Sequence, residues 1–165
     1  MKLIFAIDEN WSIGVDGDML FKISEDLQRF KEITMGGILV MGRKTFESLP
    51  NQKPLPGRTN IVVTRNKDYK RDGIIVVNSI EELDEKLLEL NPNDEKEVFL
   101  IGGGELVKQM IGRCSHAHIT KVAKCYDDWD TCIPNLDELP GWREIQVGEE
   151  KSEGELVYKY CEYCK

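Results

Sequence analysis

The sequence holds only two histidines, His116 and His118, alternate residues near the start of one apolar stretch. A hydrolytic triad needs a nucleophile, a base and an orienting group. No serine or cysteine arrangement here supplies the other roles, so both histidines are expected to be structural. A surplus of positive charge is also lacking: 22 Lys and Arg stand against 30 Asp and Glu, for a net charge of −8. That argues against non-specific binding to nucleic acid or to an anionic membrane surface. No apolar run approaches the length that spans a bilayer. The first residues, MKLIFAIDEN, are apolar for too short a stretch to act as a secretory signal, and a cytoplasmic protein is expected. The five cysteines (Cys114, Cys125, Cys132, Cys161 and Cys164) are an odd number, which fits free thiols in a reducing compartment. The one CxxC, Cys161 to Cys164, falls in an alternating strand-like run that turns the two thiols to opposite faces. That is poor geometry for a shared metal, and no second CxxC completes a zinc site.

The common nucleotide and calcium motifs are missing too. Gly37 to Thr45 has one residue too many for a P-loop, and its middle reads as a strand. Gly102 to Val107 ends in valine where GxGxxG requires glycine, and it follows a late strand. Asp8 to Met19 has its glycine one place late for a calcium loop and methionine at the twelfth position.

The 165 residues suit a single domain spanning 1–165. Short continuous apolar runs read as buried strands: Lys2 to Ile7, Ile38 to Met41, Asn60 to Val63, Ile74 to Val77 and Val98 to Ile101. Helical segments separate them at Ser24 to Thr34, Lys44 to Leu49, Ser79 to Leu90 and Glu105 to Ile111. Such alternation implies an α/β fold with a mainly parallel sheet covered on both faces. The last third turns to strands alone (Ala117 to Ala123, Arg143 to Val147, Leu156 to Tyr163), which predicts antiparallel addition at one edge. Asp8 to Lys22 shows no clear period and is expected to be a long irregular loop of functional importance.

Ligands of open α/β sheets bind at the carboxyl ends of strands, near helix starts. Three such ends carry phosphate-compatible chemistry. Gly42-Arg43-Lys44-Thr45 and Thr64-Arg65 offer hydroxyls and bases. Gly102-Gly103-Gly104 leads straight into a helix. In a chain of net charge −8, bases at two of these ends point to an anionic ligand.

The helix from Ser24 poses a sharper question. Leu27, Phe30 and Ile33 repeat at helical spacing, and Asp26 lies on their side, at the edge of the apolar stripe. Glu25, Arg29 and Glu32 lie on the other side, facing solvent. Ser24 suits the N-cap, and an acid in the first turn suits the helix dipole. A partly buried carboxylate nevertheless costs free energy unless it is paired. Periodicity alone leaves cap and site as equal readings of Asp26.

Six motifs, in order along nearly the whole chain, resemble those of the dihydrofolate reductase family. LIFAIDENWSIGVDGDML is similar to its first strand and mobile loop, and ISEDLQRFKEIT to its first helix with the acidic residue. VMGRKTFESL, PLPGRTNIVVTR, FLIGGGEL and HITKV are similar to its later segments. The resemblance implies a single-domain α/β fold: a mainly parallel eight-stranded sheet, flanked by helices, with an antiparallel C-terminal edge strand. It implies an NADPH-dependent enzyme that reduces dihydrofolate to tetrahydrofolate, serves one-carbon metabolism, and binds antifolate inhibitors; a monomer is the default expectation. Asp26 would bind the pterin and support protonation at N5, with Thr120 hydrogen-bonded to it, Phe21 nearby and Met19 on the mobile loop. Ile4, Ala6, Leu27, Phe30, Leu49, Leu55 and Ile101 would line the substrate pocket. Arg58, after the PLPG turn, would grip the glutamate α-carboxylate. Ala6, Ile13, Gly42, Arg43, Lys44, Thr45, Thr64, Arg65, Gly102, Gly103, Gly104, Glu105 and Leu106 would contact NADPH, with a cis peptide between Gly102 and Gly103.

Three residues depart from the family's pattern. Phe21 and Phe46 stand where tryptophan is usual, and Phe21 cannot donate a hydrogen bond beside the acid. Val107 stands where an aromatic ring is frequent. Two other readings stay open: a pteridine or ribosylaminopyrimidine reductase on the same fold, against which Arg58 behind PLPG speaks for a glutamate-tailed substrate, and, because of Phe21 and Val107, a catalytically silent folate- or nucleotide-binding module.

Overall fold

The apolar run at the N-terminus forms β1 (Lys2–Ile7), a central strand with parallel partners on both sides in a computed structural model describing residues 1–165. Then come β2 (Ser12–Val15), β3 (Asp18–Met19), α1 (Ser24–Thr34), β4 (Ile38–Gly42), α2 (Arg43–Glu47), β5 (Thr59–Val63), β6 (Ile75–Val77) and α3 (Ile80–Leu90). The chain continues through β7 (Val98–Gly102), α4 (Gly104–Met110), β8 (His116–Val122), β9 (Thr131–Cys132), β10 (Arg143–Val147), β11 (Lys151–Glu153) and β12 (Leu156–Cys164). The main sheet runs β10-β12-β8-β1-β7-β4-β5-β6, with β11 hydrogen-bonded to β12 off this path. From β8 to β6 every pairing is parallel. The last strand, β12, runs antiparallel to β8. It is not the edge, because β10 lies outside it and also pairs antiparallel.

Why these segments form central strands is visible in β4. Ile38, Leu39, Val40 and Met41 are all fully buried. Alternate side chains of a strand point to opposite faces. Accordingly Ile38 and Val40 join one core cluster and Leu39 and Met41 another, on the other side of the sheet. A continuous apolar run is what a strand covered on both faces requires. No helix is long and apolar enough to cross a membrane.

The segment from Asp8 to Lys22 is more ordered than its irregular sequence predicts. It folds into the β2–β3 hairpin, and β2 pairs in turn with β9 in a small second sheet. The turn residues Asp16 and Gly17 both have positive φ, 51° and 78°. That is the Asp-Gly geometry of a two-residue hairpin whose twist matches its strands. Buried Asp8 anchors the segment, accepting hydrogen bonds from the backbone N–H groups of Asn10, Ser12 and Tyr126.

Candidate active site

The start of α1 is built differently from the simple cap its sequence predicts. Ile23, not Ser24, occupies the N-cap position, and no side chain caps there. Instead the Ser24 N–H donates to the carboxylate of Glu153 on β11, at 2.9 and 3.0 Å. A carboxylate at a helix N-terminus is favoured by the dipole. Asp26 is therefore not needed as the cap.

Asp26 is half-buried and accepts a 2.5 Å hydrogen bond from Thr120 Oγ1. Thr120 lies on β8 directly between Ala6 of β1 and Tyr160 of β12. The three side chains form a row on the sheet face beneath α1. Burial pushes the Asp26 carboxyl above its ordinary range; the Thr120 hydrogen bond and the charge of Arg29 oppose that rise, and Glu25 adds to it. Thr120 occupies Oδ1, which leaves Oδ2 to accept from a ligand.

The apolar residues expected beside this acid largely converge. Ile4 belongs to the core cluster on this face, and Phe30, Leu49, Leu55 and Ile101 pack against it. Leu27 is 44% exposed and adds an apolar wall rather than core packing. Phe21 is buried against Tyr126, with ring centres 5.7 Å apart. Met19 is 41% exposed on β3. Phe46 and Val107 are fully buried and serve packing.

Arg58 is held by its own turn and by α1. Its Nε donates to Pro56 O at 3.0 Å, and its Nη1 to Thr34 Oγ1 at 3.1 Å. Asn60, which sequence reasoning overlooked, fixes that turn by hydrogen bonding to Leu55 N, Leu55 O and Arg58 O. Its signal was a buried asparagine inside an apolar strand.

On the other side of the strand ends lie the residues expected to hold a dinucleotide. Arg43, Lys44 and Thr45 open α2 directly after β4, and Thr64 and Arg65 follow β5. Lys44 and Arg65 are exposed, whereas Arg43 is engaged by Glu47 at 3.0 Å. Gly102 and Gly103 are joined by a cis peptide bond, and Gly102 has φ 142°. A Cβ on Gly102 would fall 2.8 Å from Thr45 Oγ1, so only glycine keeps this backbone against α2. Neither α2 nor α4 has a side-chain cap at its start. Uncapped N–H groups beside free bases fit an anionic cofactor. Glu105 is exposed; Leu106 packs into the larger core cluster, against which Ile13 also rests.

One expectation is corrected. Arg29 does not face open solvent: it meets β12, where it binds Glu162, whereas Glu25 stays exposed and binds Lys151 of β11. A cavity of about 300 Å³ lined by Trp11, Lys121 and Asp137 lies on the opposite sheet face from Thr120. Its Lys121 is already paired with Asp137 and Glu144. It is separate from the Asp26 site.

A model of the dihydrofolate reductase family matches residues 1–165. The type 3 dihydrofolate reductase of Salmonella typhimurium is 35% identical over 163 residues, covering 99% of this chain and 94% of that protein. The dihydrofolate reductase of Bacillus subtilis is 34% identical over 160 residues, covering 97% and 90%. The chain spans 33% of the length of the bifunctional dihydrofolate reductase-thymidylate synthase of Paramecium tetraurelia, to which it is 34% identical over 164 residues. Among solved structures, a dihydrofolate reductase from Enterococcus faecalis complexed with NADP(H) and RAB-propyl superposes with a TM-score of 0.83 at 32% identity. That match covers 99% of this chain and 94% of the other. With one paired carboxylate in an apolar cleft, a diglycine cradle beside it and these matches over its whole length, the chain belongs to the dihydrofolate reductase family.

Proposed function

We propose that this protein reduces 7,8-dihydrofolate to 5,6,7,8-tetrahydrofolate with NADPH, using Asp26 as the single acid of the site. The observation that carries this reading is the half-buried Asp26, held through one oxygen by Thr120 at the mouth of an apolar cleft. Its free Oδ2 accepts from the pterin 2-amino group and N3–H, which turns the ring to lie along Ile4, Ala6 and Phe30. A carboxyl raised by burial titrates nearer neutral pH, where a group that supports proton delivery to N5 is most effective. When bound, NADPH would supply the hydride. Arg43, Lys44, Thr45, Thr64 and Arg65 would hold its phosphates, and Gly102 and Gly103 would let it lie close to the substrate. The apolar residues around the cleft would exclude water from the reacting atoms.

Arg58 favours a substrate with a glutamate tail over a smaller pteridine, because its guanidinium is fixed at the end of α1 by Thr34 and Pro56. Antifolates would occupy the same cleft. We place the enzyme in the cytoplasm as a monomer that does not bind nucleic acid, in keeping with its net charge of −8. The deciding assay is NADPH consumption with dihydrofolate by wild type and Asp26→Asn. Turnover by the wild type and a loss on the order of 10²–10⁴-fold in the variant at neutral pH are expected. An inactive wild type, or a fully active variant, would overturn the reading.

A further inference from the structure

Helix α1 is tied to β11 and β12 by charge. Glu25 accepts from Lys151 Nζ at 2.6 Å and from the Tyr158 hydroxyl at 3.0 Å. Arg29 Nη2 donates to Glu162 Oε1 at 2.9 Å, and its guanidinium carbon lies 4.3 Å from the centre of the Tyr160 ring. Glu162 also meets His118 Nδ1, at 2.7 Å from Oε2. A bond to a carboxylate requires that nitrogen to carry a proton. The side chains of Arg29, Glu162 and His118 are only 20, 27 and 18% exposed. Cohesion alone does not call for such a cluster, because apolar residues hold buried surfaces together at least as well as desolvated ion pairs.

Register connects the cluster to the site. On β8 and β12, the pair His118–Glu162 lies two residues from the pair Thr120–Tyr160. Residues two apart share a face. On α1, Arg29 follows Asp26 by three residues, one turn along the same helix. The guanidinium is thus clamped between Glu162 and Tyr160 on the face that carries the Asp26–Thr120 pair. It cannot swing into solvent without losing both contacts.

We infer that Arg29, clamped by Glu162, His118 and Tyr160, is a positioning residue for Asp26 that holds a fixed positive charge beside the carboxylate and so sets the pH range in which the site works. The inference rests on the reading of Asp26 as the site's acid. The groups around Asp26 are Glu25 and Arg29 from α1, His118 and Thr120 from β8, Tyr158, Tyr160 and Glu162 from β12, and Lys151 from β11. Glu25 is matched by Lys151, and Glu162 is shared between Arg29 and His118. Burial pushes the Tyr160 phenol up, so it stays neutral, and its hydroxyl is buried with no protein partner. Arg29 is the charge that opposes the effect of burial on Asp26.

The test titrates the Asp26 carboxyl by carbon NMR in the ligand-free protein, wild type against Arg29→Gln and Arg29→Lys. The expected result is a midpoint raised by about half a unit to one unit in Arg29→Gln and returned toward wild type by Arg29→Lys. A merely structural role would lower the melting temperature of both variants and leave both midpoints in place, which would overturn the inference. Should Arg29→Gln fail to fold, the wild type carries the test. The Arg29 Nε–H resonance is expected to move with the same midpoint as Asp26, and a resonance unmoved through that range would refute the coupling. Because these readouts need no turnover, they stand apart from the activity assay. An unshifted midpoint in an active enzyme rejects Arg29's role alone, and an inactive wild type rejects the function.

Discussion

Thr120 Oγ1 donates to Asp26 Oδ1 across 94 residues of sequence, joining β8 to the first turns of α1. Thr120 is 2% exposed, so no water replaces its hydroxyl without a local rearrangement. Thr120→Val keeps the shape and removes the donor. A hydrogen bond to a charged group is worth about 1.5–3 kcal/mol. Since that bond lowers the Asp26 carboxyl against the effect of burial, its loss lets the carboxyl rise further. The expected outcome is a pH–rate profile displaced to higher pH, with its plateau kcat/KM reduced by about tenfold because the carboxylate has lost the bond that orients it. Thr120→Ser, which keeps the donor, should stay close to wild type.

The same carboxyl makes a statement about stability. For Asp26 the folded value lies above the unfolded one, so the folded state binds the proton more tightly. Stability from this group is greatest at low pH and falls as pH rises through the window between the two values. At pH 7 the ionised, desolvated carboxylate is a cost. Asp26→Asn is therefore expected to melt at a higher temperature than wild type at pH 7, with the gap closing toward pH 3. Thermal melts at several pH values check this. A variant less stable than wild type at pH 7 would mean that Thr120 and Arg29 more than offset the burial.

Asp26 was legible in the sequence because helical periodicity fixes an angle, and the angle put a carboxylate beside an apolar stripe. The parallel strands were legible for a related reason: a run such as Ile38 to Met41 has no polar face to give to solvent. Periodicity carries no information about neighbours distant in sequence. The wheel therefore turned Arg29 to the outside, and only β12, arriving 133 residues later, makes that outside an interface with Glu162. The cap at Ser24 failed likewise, because Glu153 reaches its amide from 129 residues away. The β2–β3 hairpin had a local signal, Asp16-Gly17, which was masked by flanking residues that do not alternate.

Arg58 offers a prediction about substrate rather than chemistry. Its guanidinium is positioned by Pro56 O and Thr34 Oγ1 and stands outside the reacting part of the cleft. A bidentate grip on a carboxylate is charge-assisted and contributes about 1.5–3 kcal/mol. Arg58→Ala is expected to raise KM for dihydrofolate by roughly 10- to 100-fold with kcat little changed. A dihydropterin lacking the glutamate should show no difference between variant and wild type. Equal KM values for dihydrofolate would remove Arg58 from substrate binding.

Gly104 tests how the small sheet is braced against the cofactor side of the cleft. It opens α4, and a Cβ there would lie 2.5 Å from the backbone oxygen of Cys132 and 3.1 Å from Thr131 Cγ2. The nearest obstacle is backbone, so no side-chain rotation relieves the clash. Either α4 shifts away from β7, or β9 moves and takes its pairing with Ser12 and Gly14 on β2 with it. Overpacking of this kind costs about 1–3 kcal/mol. Gly104→Ala is expected to lose stability in urea by that amount. It should also weaken NADPH binding, because the Gly102–Gly103 cradle leads straight into the displaced helix. Gly112, which has open space around it, is the control, and Gly112→Ala should bind NADPH as the wild type does. If Gly104→Ala matches the control in both measurements, β9 yields freely and does not brace the site.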